Sequence, residues 1–538
     1  MPATSGSLFD RHSKQIEEVI NKNVDTILPT LDAAWRDTIV TSQGVGPASA
    51  IGRDMHILKL YRGGLTGVIE NAAQYNDFVL YGDNTTLLGD NTDAGTRNNA
   101  KLYRQSATQT WPSALEGPAI NTYRLGIGMR AMLTNLAMTM GELQAEATPA
   151  FIGDVIAPKL KGFAQNLSHT LCNYWYVSQN SGYALASFNA GTYNIPAVTN
   201  GAQDSFSFIP SNQAVDRFYV GQRVDLYKAT AGVPSTAATA TDLINSSSSG
   251  TLRVKCFVSA VDELTGTVTI RIVNDSGANM SAFSTSAANN VAVCYANSKL
   301  QGGAAFTGIA GINSWMKFGD SSGASPTDAN CLLGAERVTN EQINVNQHPE
   351  FKSFRVQNVG ALTEHKLRQY VRRFHAAKNK YGQTIDCLIA SDGVWLAYEA
   401  QKIGQYTLER TGRLSNLNSE GSDQGFKFTF EGRTYNGYTS TYIEDGVVYG
   451  LKKGGNNWKR YVPPDPKGVQ KFSEADSFVP FSFVVPALTG TSSTKWPILN
   501  GSNLTEAMQM PGMLRMQLVP DQPTGLKLEG VTTDRVWM

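Results

Sequence analysis

"TYIEDGVVYGLKKGGNNWKRYVPP" occupies Thr441–Pro464. Asp445-Gly446 is the strongest two-residue turn signal in the chain, and the residues around it read as a β-hairpin. The far strand runs into a basic, aromatic tail that Pro463 and Pro464 close. No catalytic group accompanies it. Tyr442, Tyr449, Trp458 and Tyr461, with Arg460 between the last two, are the large, low-entropy side chains that interfaces favour. The competing reading is that they fill this sheet's own core.

Immediately upstream lies a helix–strand–helix unit. In "LTEHKLRQYVRRFHAAKNKYG", Leu367, Tyr370, Val371, Phe374 and Ala377 share a helical face ringed by Lys366, Arg368, Arg372, Arg373 and Lys378. "TIDCLIAS" is a short apolar run typical of a buried strand, and "DGVWLAYEAQKIG" opens a second helix with Ser391 or Asp392 as cap. The basic helix suits a phosphate contact. A solvated or intersubunit face fits better, because Lys plus Arg total 46 against 45 for Asp plus Glu. Such a balance gives no long-range pull toward nucleic acid or anionic membrane. Downstream, "FVPFSFVVPAL" and "GMLRMQLVP" read as strands whose prolines suit sheet edges.

Toward the N-terminus the chain changes character several times. Ile16, Val19, Ile20, Val24 and Ile27 recur at helical spacing before Pro29, which predicts a helical arm. "YNDFVLYGDNTTLLGDNTDAGTRNNAKLYRQ" (75–105) holds more turn formers than core formers. A loop of that length inside a compact domain has work outside it, and the apolar flanks predict an excursion that returns. Thr148 and Pro149 cap a helix predicted to reach Ser178, with Pro158 bending its first turns. That helix would extend about 45 Å at 1.5 Å per residue. Residues 183–305 read as β, with a hairpin over Val258–Val273 across "DELTG" and a low-complexity bridge at "STAATATDLINSSSSG".

Chemistry is sparse. Charged residues are 17% of 538, below the roughly 25% of typical soluble domains. The five cysteines (Cys172, Cys256, Cys294, Cys331, Cys387) form no CxxC pair, which argues for a reducing compartment. "MPATSGSLFDRHSK" lacks the apolar core of a signal peptide, and no run approaches the ~20 apolar residues of a membrane span. "LGIGMRA" places Gly126, Gly128 and Ala131 at dinucleotide-fold spacing, but the stretch before it has two prolines and no strand signal. His169 and Cys172 lack a second pair for zinc, and "DNTDAG" misses calcium-loop spacing. Neither a catalytic, a cofactor-binding nor a metal-binding residue is assigned.

The order of elements resembles the major capsid proteins of tailed bacteriophages, the Hong Kong ninety-seven type fold. The resemblance is carried by "FTGIAG" (306–311), then "ALTEHKLRQYVRRF", "IDCLIASDGVWLAYEA" and "FKFTFEGRTYNGYTSTYIEDGVVYGLKKGGNNWKRYVPP" in that order. It implies an α+β chain divided into an N-terminal arm (1–55), an extended loop with flanking strands (56–147) and a spine helix (148–182). It further implies a peripheral domain (306–360 and 480–538) and an axial domain (361–479), while the inserted β-rich domain (183–305) departs from the minimal fold. The implied function is self-assembly into pentamers and hexamers of an icosahedral head around double-stranded DNA. Portal, scaffold and decoration or cement proteins are the expected partners, with the chain made in a bacterial cytoplasm and ending in the virion. Subunit contacts are then expected at Tyr81, Leu87, Leu88, Arg97, Lys101 and Tyr103 of the loop and at Tyr442, Tyr449, Trp458, Arg460 and Tyr461. An encapsulin-like compartment and a phage tail or adhesin protein are the alternatives.

Overall fold

A computed structural model of the chain describes residues 6–40, 55–61, 64–65, 122–128, 130–139, 156–176, 184–189, 203–210, 215–229, 255–273, 290–295, 309–323, 325–327, 329–333, 343–406, 426–430, 433–453, 458–461, 481–483, 498–499, 507–520 and 522–534. Within them the strands form four sheets.

The central sheet is mixed, in the order Phe354–Val356, Leu526–Glu529, Val447–Leu451, Cys387–Ala390, Arg433–Thr439, Phe426–Phe430. All four residues of Cys387–Ala390 are buried because both faces of the strand are covered. Cys387 and Ile389 face one core, which also holds Tyr438, Tyr449 and Leu451. Leu388 and Ala390 face the other, built with Leu367, Val371, Phe374, Val394, Trp395 and Tyr398 of the flanking helices Glu364–Lys378 and Asp392–Tyr406. Side chains alternate across a strand, so one apolar run serves two cores. The helix–strand–helix unit is as the sequence predicts.

The hairpin is not. Cys387–Ala390 lies between Arg433–Thr439, its parallel partner, and Val447–Leu451, its antiparallel partner. The turn signal at Asp445-Gly446 therefore sits in an arch over the end of that central strand. Gly446 takes a left-handed φ of 77° and accepts a bond from Val531 N–H at 3.0 Å. Asp445 accepts from Ser391 Oγ. Local turn chemistry was read correctly, but a third strand that is far away in sequence won the pairing. The same sheet takes in Phe354–Val356 and Leu526–Glu529, which the sequence boundaries had placed in the peripheral segments.

A second six-stranded sheet is organised around Ala507–Pro520. This strand pairs with Arg130–Thr139, Phe481–Phe483, Ile498–Leu499 and Trp458–Tyr461, and the last of these pairs in parallel with Ile39–Val40. The third is antiparallel and comes wholly from 184–295, in the order Ala184–Asn189, Asn290–Tyr295, Arg223–Ala229, Lys255–Asp262, Thr267–Val273, Gln203–Phe208. Its edge strands approach each other, since Phe188 stacks on Phe208 at 4.4 Å, so the sheet coils toward a barrel around Phe206, Val258, Ile270 and Val293. The predicted hairpin is its centre, with Asp262 Oδ1 accepting from Leu264 N–H and Thr265 N–H to fix the turn.

The fourth sheet is a ribbon. Met55–Tyr61 pairs antiparallel with Thr122–Gly128 along its whole length, and Gly64–Leu65 adds a short third strand. The feet of the predicted excursion thus bond to each other, while the predicted loop itself (75–105) lies outside the described residues. Gly128 is followed by the strand Arg130–Thr139 rather than a helix, so the dinucleotide spacing has no fold behind it.

The described spine helix is Ile156–Tyr176, about 32 Å at 1.5 Å per residue. Pro158 is its third residue, where the missing N–H has no intrahelical acceptor to lose. The predicted bend is therefore unnecessary. The predicted start at Thr148–Pro149 lies outside the described residues. The arm helix Gly6–Leu31 buries Ile20, Val24 and Leu28, and its core is shared with Leu160, Leu167 and Leu171 of the spine helix. This part of the predicted helical arm is packed on its own chain.

Candidate functional site

Four parts of the chain meet at the C-terminal end of the spine helix, where residues 171–176 are all buried. From the arm comes the short helix Ala33–Thr38, capped by Asp32, whose side chain accepts from Ala34 N–H at 2.9 Å. The same carboxylate accepts from Tyr176 Oη at 2.7 Å and from Ser440 Oγ at 3.1 Å. One side chain therefore ties the arm, the spine helix and the arch of the central sheet together. Asp32 is 2% exposed. Burial pushes its carboxyl up, and the hydrogen bonds from Tyr176, Ala34 and Ser440 offset part of that. Burial likewise raises the Cys172 thiol and the Tyr176 hydroxyl, with the Asp32 charge adding to both.

Near this carboxylate stand three indoles, from the arm, the spine helix and the strand Trp458–Tyr461 of the second sheet. Trp35 meets Trp175 edge-on at 5.5 Å, and Trp175 meets Trp458 edge-on at 6.1 Å. Such pairs add about 0.5–1.5 kcal/mol each beyond area burial. The strand pairing Ile39↔Trp458 delivers the third ring. A step further out, Asp37 accepts from Tyr438 Oη at 2.7 Å and from Lys453 Nζ at 3.2 Å. Partial burial raises the Asp37 carboxyl, but bonds from Tyr438, Arg36 and Lys453 outweigh it and hold it below the usual range.

The inserted β domain is fastened to the same place. Arg217, 1% exposed, donates through Nε to the Tyr442 carbonyl at 2.8 Å and through a terminal nitrogen to the Leu185 carbonyl at 3.0 Å. Asn173 of the spine helix donates to the Arg217 carbonyl at 3.2 Å and to Tyr295 Oη at 2.7 Å. Tyr442 Oη lies 2.6 Å from His169 Nδ1. On the far side, Asn313 donates to the Tyr176 carbonyl at 3.1 Å and to Tyr449 Oη at 2.8 Å. Gly311, two residues earlier, presses its backbone on the helix. A Cβ on Gly311 would lie 2.3 Å from the Tyr174 carbonyl oxygen.

These contacts correct part of the sequence reading. Tyr442 (2% exposed), Tyr449 (2%) and Trp458 (1%) are buried inside their own chain and have no surface left to offer a neighbour. Arg460 and Tyr461 pair through their backbones with Leu518 and Gln517. Tyr81, Leu87, Leu88, Arg97, Lys101 and Tyr103 lie outside the described residues. The basic helix is also less open than its composition suggests, because Lys378 Nζ donates to the Pro349 carbonyl and Lys366 Nζ to the Val359 carbonyl. Asp32, Arg217, Asn173 and Asn313 were missed. Asp32 and Asn173 gave only the signal of a lone polar residue between apolar ones, and Arg217 and Asn313, beside Asp216 and Ser314, gave none.

Among the described residues no group of three or more His, Cys, Asp or Glu is placed to hold a metal, and no helix is long and apolar enough to cross a membrane. The arrangement at the spine terminus fastens the arm, the inserted sheet and the central sheet to one helix end.

No protein-family model matches the chain, and no curated protein matches it either. Among solved structures, the cyanophage A-1(L) capsid asymmetric unit is similar over 94% of this chain and 93% of its own, at 9% identity and a TM-score of 0.35. Phage capsid structures are among its neighbours. The cyanophage Pam1 capsid asymmetric unit covers 92% of each chain at 10% identity and a TM-score of 0.32. A holo encapsulin complex from Synechococcus elongatus is similar over 34% of this chain and 54% of its own, at 13% identity and a TM-score of 0.20.

Proposed function

We propose that this chain is the major capsid protein of a tailed, double-stranded DNA bacteriophage, a subunit that assembles into pentamers and hexamers of an icosahedral head. The observation that carries the reading is the ribbon Met55–Tyr61/Thr122–Gly128. It takes the chain out and brings it back, and the segment between its feet is too rich in Asn, Asp, Gly and Thr to bury a core of its own. Such a segment gains stability by lying on another surface. The body it leaves is locked at the spine terminus, which suits a tile that must keep its shape while its edges engage. Many modest contacts of this kind sum to a stable closed shell.

In this reading the loop residues Tyr81, Leu87, Leu88, Arg97, Lys101 and Tyr103 cover a sibling subunit, while Arg460 and Tyr461 contribute at the edge of the tail strand. Residues 361–479, with the strands Phe354–Val356 and Leu526–Glu529 that join their sheet, would form the axial domain that meets its copies around each capsomer, and the rest of 306–360 and 480–538 the peripheral domain. The near-zero net charge suits weak, non-specific contact with packaged DNA. Portal, scaffold and decoration or cement proteins are the further partners, the chain acts structurally rather than as an enzyme, and the virion is its final location.

The test is negative-stain electron microscopy of the purified full-length chain beside a variant lacking Asp83–Arg97. Wild type should give closed shells and the variant folded subunits without stable shells. Normal shells from the deletion would overturn the role of the loop. A chain that stays monomeric in every solution condition would overturn the capsid reading, and shells protecting protein cargo but no nuclease-resistant DNA would favour the encapsulin-like alternative.

A further inference from the structure

The inserted sheet carries two unlike surfaces on its outer side. At one end is the hairpin tip Asp262–Gly266, with Leu264 69% exposed beside the acidic Asp262 and Glu263. Two more exposed apolar side chains flank it. Ile209 (47%) follows Phe208, the cross-strand partner of Val268, and Val220 (66%) precedes Gly221, whose N–H bonds to the Val258 carbonyl. Thus three of the five large apolar side chains that stand exposed among the described residues gather at this one end. Further along the same strands runs a basic row. Arg223 is the cross-strand partner of Phe257, and Phe257 of Arg271. Both arginines are exposed, and the Arg271 guanidinium sits 6.0 Å over the Phe257 ring.

We infer that the acidic, apolar tip of one copy docks on the Arg223–Phe257–Arg271 row of a second copy. The inference rests on the shell reading above. The charges are opposite, each patch joins charge to an apolar side chain, and rim charges of this kind orient partners and speed encounter. One copy cannot satisfy itself. Five residues of extended strand, about 17 Å at ~3.3 Å per residue, separate Phe257 from Asp262 on one hydrogen-bonded hairpin. The contact joins two different patches, so it either runs head to tail, closing into a ring or propagating, or is made twice across a two-fold axis between neighbouring subunits. Arg217 and Asn173 anchor the domain to the spine helix, so tip and row are held in fixed directions relative to the body.

Leu264→Cys with Ser205→Cys tests the geometry in the full-length chain, since Ser205 is exposed and pairs with Arg271 without supplying either charge. Under mild oxidation the double variant should give a ladder of intermolecular disulfides whose first rung is the crosslinked dimer on non-reducing gels, and each single variant should not. A disulfide needs Cα atoms within about 7 Å, which the two positions do not reach in one copy. In that background Glu263→Arg should weaken the ladder at least about fivefold, and adding Arg271→Glu should restore it to within about twofold. Electron microscopy of the same samples separates the outcomes. Shells whose ladder does not exceed the single-cysteine controls overturn the docking and leave the capsid reading standing. A ladder without closed shells keeps the docking and overturns that reading, while monomers without a ladder overturn both.

Discussion

Tyr176, the last residue of the spine helix, donates its hydroxyl to the Asp32 carboxylate over 2.7 Å, and both residues are 2% exposed. Among the described residues no cation pairs with that carboxylate, so it depends on its hydrogen bonds. Tyr176→Phe removes one and leaves the ring in place, so the subunit should lose about 1–3 kcal/mol. A lower denaturant midpoint with an unchanged m-value checks this.

The sign of the pH effect follows from the same burial. Asp32 has a carboxyl raised above its unfolded value, so the folded state holds the proton longer. Stability from this site is fullest below the ordinary carboxylate pKa and falls as pH rises through the raised one. Asp37 and Glu529, both held below their ordinary values, contribute the opposite slope. Comparing wild type with Asp32→Asn subtracts those sites. The stability of wild type relative to the variant should be greater near the ordinary carboxylate pKa than at pH 8, by urea titration at both values.

Trp458 separates core from interface. If the ring belongs to the subunit's own core, Trp458→Ala should cost the isolated subunit about 3–5 kcal/mol before any assembly. An interface residue would leave subunit stability unchanged and reduce particle yield alone. Denaturation of dissociated subunits distinguishes the two.

Arg217 should act as the fastening of the inserted domain. Arg217→Ala leaves the Tyr442 and Leu185 carbonyls without their donor and opens a void. We expect a loss of about 3–5 kcal/mol and faster proteolysis around residues 176–184. Arg217→Lys should rescue only part, because one ammonium replaces a planar fork that reaches two carbonyls at once.

Gly311→Ala tests the close approach of the backbone to the spine helix. Its Cβ would meet the carbonyl oxygens of Tyr174 and Trp175 at 2.3 and 2.4 Å, and neither is a flexible side chain. The cost should reach ~3 kcal/mol or more, seen as a lower melting temperature or as insoluble protein.

Local pattern proved a good guide where neighbours in sequence are neighbours in space. The arm helix, the helix–strand–helix unit and the hairpin over "DELTG" all follow from periodicity and turn residues that close within a few positions. The Asp445-Gly446 arch was misread because the strand that displaces the expected partner, Cys387–Ala390, lies more than fifty residues away. Tyr442, Tyr449 and Trp458 carry the composition of interface anchors and of cores alike, and only the approach of His169, Asn313 and Trp175 decides between them. Asp32 and Arg217 were invisible for a related reason. A buried polar residue is defined by partners drawn from distant segments, here Tyr176 and Ser440 in one case and Leu185 and Tyr442 in the other.

The strand Ala507–Pro520 has a consequence for biosynthesis. It is translated after every strand it joins, among them Ile39–Val40 through Trp458–Tyr461 and Arg130–Thr139 directly. At roughly 5–20 residues per second, ribosomes leave Ile39–Val40 and Arg130–Thr139 waiting tens of seconds for that strand. Nascent chains on one messenger thus lack a finished edge-bearing body, and a prematurely terminated product would lack the keystone that closes it.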